Sequence, residues 1–276
     1  MGEQKALAYT QKAFFYEEQL LQALQVQFNR QADIILSNLT AKPVERALKA
    51  NGEQIRAKDY VSVLIDWDAA DKDMKATVTP HILQVIIETG QQAMRDLGLD
   101  PGLYEPYAEA IQLYMEARAT KIATDINDTT ERQIRATLTE GINVGESGME
   151  LRARVEAVMG IAATTRADLI TVTEVARAQS AADIFAWEQS GVVEAKEWYT
   201  AKDERVCPWC KDMHGKVIGL DENYFDKGDV QVVTTTNRKG EEVQRTMNHD
   251  YDDVPGCPLH GRCRCTLLPV RISNTS

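Results

Sequence analysis

Between residues 3 and 39 the chain carries neither Gly nor Pro, and Leu7, Phe14, Leu21, Phe28 and Ile35 recur every seven residues. Such a repeat keeps apolar side chains on one seam, so one continuous helix is expected here. At 1.5 Å of rise per residue it runs roughly 55 Å. The neighbouring seam of Thr10, Glu17, Leu24 and Gln31 is mostly polar, which argues against a free-standing two-stranded coiled coil. The apolar seam therefore either packs on the protein's own bundle or docks on another subunit.

Further helices are expected downstream. Asp66 is placed to cap a segment starting near Trp67. Thr79-Pro80 reads as the N-cap and first-turn proline of a helix carrying Ile82, Leu83, Ile86, Ile87 and Met94, which would put His81 at a helix start. Gly98 can end that helix, and Asp100-Pro101-Gly102 reads as a turn. The next apolar face is Tyr107, Ile111, Met115, Ile122 and Ile126. Thr130-x-x-Gln133 and Ser147-x-x-Glu150 are capping-box patterns, each opening an apolar-periodic run, with Gly141 and Gly145 bracketing the loop between. Another helix spans about 165–189 and ends at Gly191. Thr173-Glu174 and Arg177 stand one turn apart on it, a spacing typical of a surface ion pair.

After Gly191 the helical period disappears. Val192-Val193 and Glu197–Thr200 suit short strands. Val230–Thr236, Asn237-Arg238-Lys239-Gly240 and Glu241–Met247 read as a β-hairpin whose turn ends on a glycine. The expected fold class is α+β, predominantly α: long N-terminal helices and a helical domain, then a small β-rich, zinc-stapled module. In domains, this is an N-terminal helical region 1–127, a second domain 128–271 (helical over 128–190, β-rich over 191–271) and a tail 272–276.

Charge narrows the partners. The chain has a net charge of −11, of which residues 196–276 contribute only −1. Phosphate neutralisation drives most nucleic-acid affinity, so an acidic helical body suits protein partners better than duplex DNA. No signal peptide precedes the first helix, and runs such as Val85-Ile86-Ile87 are far too short to span a bilayer. Synthesis in a reducing cytoplasm is expected.

All five cysteines lie between 207 and 265. An odd count clustered at one end is not a secreted disulfide framework. Cys207-Pro208-Trp209-Cys210 is a C-x-x-C knuckle, and His260-Gly261-Arg262-Cys263-Arg264-Cys265 supplies a second cluster downstream. Zinc takes four thiolate and imidazole ligands. Cys207, Cys210, His260 and Cys265 are the first choice, with Cys263 as the chief substitute; reduced cysteines in a small core are the alternative. A structural zinc would staple a thin module. Cys257 reads as a bystander, His214 as a weaker ligand and His249 as a surface residue. Asp203 and Arg205, just before the knuckle, either steady the metal loop or belong to a solvated turn.

These residues also carry a resemblance. Arg166-x-Asp168…Thr173-Glu174…Ala178, Gln189-Ser190-Gly191-Val192, Trp198-x-Thr200-x-x-Asp203-Glu204-Arg205-Val206-Cys207-x-x-Cys210, Gly215-Lys216 and Pro258-Leu259-His260-x-x-Cys263-Arg264-Cys265 stand in order over about 128–269. This set resembles the phage head morphogenesis proteins of the Mu protein F-like family. The family's usual Pro-Pro-x-His-Pro is here Cys257-Pro258-Leu259-His260-Gly261, and the 230–247 hairpin looks like an enlargement. The resemblance implies a minor capsid protein of the virion. It would act in procapsid assembly at the portal vertex, with a link to DNA packaging or ejection. Its partners would be the portal and other head proteins, with at most weak DNA contact and no small-molecule substrate. Two alternatives are a metal-dependent nuclease or toxin-like enzyme, and a zinc-ribbon nucleic-acid binder using Arg262, Arg264 and Arg271. Phosphodiester hydrolysis favours hard oxygen ligands over thiolates, and the near-neutral module lacks a basic face. A non-enzymatic assembly role is expected.

Overall fold

The computed structural model describes residues 2–41, 60–200 and 206–272, with side chains from residue 11 onward. Leu7 and Thr10 therefore lie outside the described side chains, and Asp203 and Arg205 outside the described residues. The fold is α+β and predominantly α, as the patterns predict. Two compact units are present: Glu18–Ile82 with Gln112–Thr171, and Met1–Glu17 with Leu83–Ile111 and Val172–Ser276.

Helix α1 (Gly2–Ala41) is the expected long helix, but its buried line is not the period-seven seam. Phe28 and Ile35 are buried, whereas Phe14 is 57% exposed and Leu21 only half-buried. Burial instead follows Ala13, Glu17, Leu20, Leu24, Gln27, Gln31 and Ile35, so the polar seam points inward. There the Gln31 Nε2 donates to Asn127 Oδ1 at 2.9 Å, and Asn127 donates to Asp71 Oδ1 at 2.7 Å. These partners are far away in sequence, so no local pattern reveals them.

Helix α2 (Trp67–Asp96) begins where Asp66 Oδ1 accepts the Ala69 N–H at 3.1 Å. Contrary to the expected start at Thr79-Pro80, the helix runs straight through Pro80, and His81 is interior to it. Thr79 is not an N-cap: its hydroxyl donates back to the Lys75 carbonyl at 2.7 Å. Met74, Val78, Ile82 and Ile86 form one buried stripe across the proline, and that continuous apolar face outweighs one missing backbone hydrogen bond. Gly98, at φ 78°, ends the helix as expected, with Leu99 N–H bonding Met94 O at 2.9 Å.

Helix α3 (Glu109–Asn143) likewise runs unbroken past Thr130, so the capping box expected there is absent. The Thr130 side chain is buried and donates to the Ile126 carbonyl at 2.8 Å. Ile111, Met115, Ile122 and Ile126 form the predicted inner face, while Tyr107 is exposed. The second capping box is real: Ser147 and Glu150 bond reciprocally at the start of α4 (Gly148–Ile161). A π turn, Ala162–Arg166, leads into α5 (Ala167–Ser190), which stops at Gly191 with φ 62°. Leu24 and Phe28 of α1, Met74 and Val78 of α2, Ile134 and Leu138 of α3, and Leu151 and Val155 of α4 build the core of the helical unit.

In the other unit, Val193–Tyr199 is one strand, β1, rather than two. It lies between β2 (Val217–Gly219) and β5 (Thr266–Arg271), both antiparallel to it and neither foreseen. The knuckle helix α6 (Pro208–Met213) separates β1 from β2. Strands β3 (Val230–Thr236) and β4 (Glu242–Asn248) form the predicted hairpin, with Gly240 at φ 83° in its turn. His249 follows it, but it is fully buried, not at the surface. Its ring stacks on Phe225 at 4.1 Å, and neither ring nitrogen has a hydrogen-bond partner among the described residues.

Candidate metal centre

The sheet explains how two clusters 53 residues apart in sequence meet. Tyr199 at the end of β1 pairs with Thr266 at the start of β5. The chain leaves β1 toward Cys207, and Cys265 immediately precedes β5. Both halves therefore emerge at one end of the strand pair. The α6 knuckle is locked beside them, since Gly215 N–H bonds Trp198 O at 2.8 Å and Trp198 N–H bonds Lys216 O at 2.9 Å.

Cys207 is the N-cap of α6, where its Sγ accepts the Cys210 N–H at 3.3 Å, and Pro208 supplies the preset first turn. This local cap aims both sulfurs at the same space. The second half turns through Arg262, at φ 61°, with Cys263 N–H bonding His260 O at 3.1 Å. His260 Nδ1 faces Gly261 O at 2.8 Å, which leaves Nε2 for the sulfurs.

The side chains converge. His260 Nε2 is 3.0 Å from Cys207 Sγ and 3.2 Å from Cys210 Sγ, and Cys210 Sγ is 3.6 Å from Cys263 Sγ. Cys207, Cys210 and His260 form one potential metal-binding group; Cys210, Cys263 and Cys265 form another, sharing Cys210. The five predicted residues thus fall into two overlapping trios that share Cys210. Cys257 is buried but joins neither group, and His214 is engaged elsewhere, accepting the Thr200 N–H at 3.2 Å.

The donors are of the kind a thiophilic ion takes, three in each group. Two sulfurs about 2.3 Å from one zinc lie about 3.8 Å apart, close to the 3.6 Å separation of Cys210 and Cys263. A disulfide does not fit, because S–S bonding needs about 2.05 Å and all five thiols are free. The electrostatics point the same way. The Cys210 thiol and His260 pull Cys207 down to about 4, and Cys207 in turn pushes His260 up to about 9. Cys263 is held well below the ordinary thiol range by Cys210 and Cys265. Cys210 is held above it by Cys207, Cys263 and Cys265. Crowded sulfurs that deprotonate only at one another's expense are relieved by a cation, which deprotonates bound thiols outright.

Thr173-Glu174 and Arg177 sit nearby on α5. Arg177 Nε lies 3.8 Å from Glu174 Oε2, and both side chains are largely buried rather than at the surface. Thr173 Oγ1 accepts the Arg262 N–H at 3.2 Å, tying α5 to the ligand loop. Sequence spacing revealed the pair but not this anchoring role.

Comparison with protein families matches residues 132–268 to the family described as phage Mu protein F like protein. Comparisons with curated proteins and with solved structures give no match.

Proposed function

The chain belongs, through residues 132–268, to the phage Mu protein F-like family of head morphogenesis proteins, and from that premise we propose that it is a minor capsid protein of the virion. It acts non-enzymatically in head assembly at the portal vertex, with the portal and other head proteins as partners. The observation that carries this reading is that the matched segment contains both halves of the Cys/His cluster. The acidic body favours a protein partner over DNA. No helix among the described residues is long and apolar enough to cross a membrane.

The cluster serves this role as a structural zinc site. Cys207, Cys210 and His260 hold the ion, with the fourth ligand drawn from Cys263 and Cys265. When bound, zinc supplies folding free energy, because the unfolded chain has no preformed site. The protein's own residues do the positioning. The Cys207 cap orients the knuckle, Gly261 O orients His260, and the β1–β5 pair brings the halves together. A donor set of thiolates and imidazole suits a closed structural site, whereas phosphodiester chemistry prefers oxygen ligands and an open position.

Metal analysis tests the site, and particle analysis tests the role. The folded, reduced protein should hold about one zinc per chain, and less than about 0.2 overturns the zinc assignment. Cys207→Ser or a chelator should unfold the β-rich module and leave α3 and α4, which belong to the other unit, in place. Purified virions should contain the chain, and the variant should fail in head assembly. Particles that assemble and infect normally without the chain would overturn the assembly role.

A further inference from the structure

The cluster also touches α1, through a residue that is not one of its donors. Cys263-Arg264-Cys265 has neither helix nor turn and runs directly into β5. In extended backbone, alternate side chains face opposite ways. Cys263 and Cys265 both join Cys210 on one side. Arg264 is thereby presented on the other, where it forks onto the Glu17 carboxylate of α1. One nitrogen reaches Oε1 and the other reaches Oε2 at 3.1 Å. Its guanidinium also lies 5.3 Å from the centre of the Phe14 ring. Phe14 and Glu17 are one helical turn apart, so a single arginine grips one face of α1.

We infer that Arg264 makes the metal site a clasp on the N-terminal helix, so that metal loading holds residues 13–20 of α1 in place. This rests on the zinc reading above and goes beyond it. The alternation explains why the coupling is obligatory. An ion that fixes Cys263 and Cys265 on one side fixes the backbone between them, and with it the origin of the Arg264 side chain. Once the ligands are released, that stretch is left to the Cys263 N–H bond to His260 O and to the β5 pairing that begins at Thr266.

The strength of the grip follows from Glu17. Its carboxylate is only 10% exposed, and a bidentate arginine is the strongest partner a carboxylate can have. A buried carboxylate that loses its partner is strongly disfavoured where it lies. The segment must therefore move outward when Arg264 withdraws. Other ties on this stretch are the buried Ala13, Tyr16 and Leu20, the Tyr16 Oη bond to Glu88 at 2.8 Å, and Lys12 donating to Gln92 at 3.3 Å on the exposed surface. The clasp also accounts for the exposed Phe14, whose ring serves as the arginine's platform.

Hydrogen exchange by mass spectrometry on the full-length protein, with zinc content measured alongside, tests this. In the zinc-loaded chain, amides 13–20 should be protected. Chelation should raise their exchange about tenfold or more, with amides 115–138 of α3 unchanged. Arg264→Leu should reproduce that rise at full zinc content. Glu17→Gln, which leaves the module untouched, should do the same, and Arg264→Lys, lacking the fork, should fall between. Full zinc loading with α1 exchange unaltered by chelation overturns the inference alone. So does an Arg264→Leu or Glu17→Gln protein that protects α1 as the wild type does. Absence of zinc from the native chain removes the metal reading, and this inference with it.

Discussion

Replacing Phe28 by Ala decides whether the N-terminal helix offers its aromatic seam to a partner or keeps it as core. The Phe28 side chain is fully buried, and the Arg166 guanidinium lies 5.7 Å from its ring centre. Truncating a buried Phe removes about 3–5 kcal/mol. The desolvated cation–π contact adds about 1–2 kcal/mol. Arg166 cannot follow the receding ring to fill the hole. It is tethered to Thr130 Oγ1 at 3.2 Å, Gln133 Oε1 at 3.2 Å and the Ile126 carbonyl at 3.1 Å. A loss of about 4–7 kcal/mol is therefore expected. Urea unfolding followed by far-UV circular dichroism reads it out. With a slope of about 2 kcal/mol per molar urea, the transition of the helical unit should fall by about 2–3.5 M. Phe14→Ala, at an exposed position on the same seven-residue repeat, should change stability by no more than about 1 kcal/mol. A Phe28→Ala midpoint within about 0.3 M of wild type would refute the reasoning. The period-seven seam would then return as a docking face, whereas under the core reading a Phe28→Asp chain missing from particles reports only misfolding.

Burial holds the His249 imidazole below its ordinary 6.5, opposed only in part by Asp229. As pH falls below about 6.5 the unfolded chain takes up this proton first, so the stability contributed by the neutral ring is present above that pH and lost toward the depressed folded value. Between about pH 7 and pH 5 the wild type should therefore lose more stability in urea titrations than His249→Phe, and parallel losses would sink the idea. Gly90→Ala should lower stability by about 1–2 kcal/mol despite a helix-propensity gain of about 1 kcal/mol, because a Cβ there would lie 2.2 Å from the Tyr104 ring. The same change in a Tyr104→Ala background should be stabilising; a stabilising effect in the native background would show that the ring yields freely.

Local chemistry was legible wherever a residue's partner lies within a turn of it. The Ser147 capping box, the Gly98 and Gly191 helix stops, the Asp66 cap and the Gly240 turn all belong to that class. So does the Cys207 knuckle, whose cap is made by the residue three positions on. Reading failed where a local signal competed with a long-range one. Thr79-Pro80 and Thr130 look like helix starts, yet their hydroxyls bond back to carbonyls four residues earlier, and continuous buried stripes carry the helices through. Glu17 and Gln31 read only as a polar seam unsuited to a two-stranded coiled coil, because their partners Arg264 and Asn127 are 247 and 96 residues away. Strands β2 and β5 escaped notice because they are short and complete a sheet only with β1. The Cys/His halves were recognisable as a set, but their shared member, Cys210, emerges only from the geometry.

The β3–β4 hairpin shows how such a site accommodates a long segment between its two halves. Linking Cys210 to Cys263 closes a loop of 53 residues, and β3–β4 lies inside it. Closure entropy grows only with the logarithm of loop length, so omitting residues 230–247 would ease closure by only about 0.4 kcal/mol. The hairpin is seated without borrowing any metal donor. Gln231 Nε2 donates to Trp209 O at 3.1 Å and to Asp212 Oδ2 at 3.0 Å, both on α6. Its other face stays open, with Val230 and Val232 exposed. A hairpin that leans on the knuckle helix and leaves the Cys/His donors alone adds surface without disturbing them. Variation in this loop should then act on what the module touches, and variation in Cys207, Cys210 or His260 on whether the module folds at all.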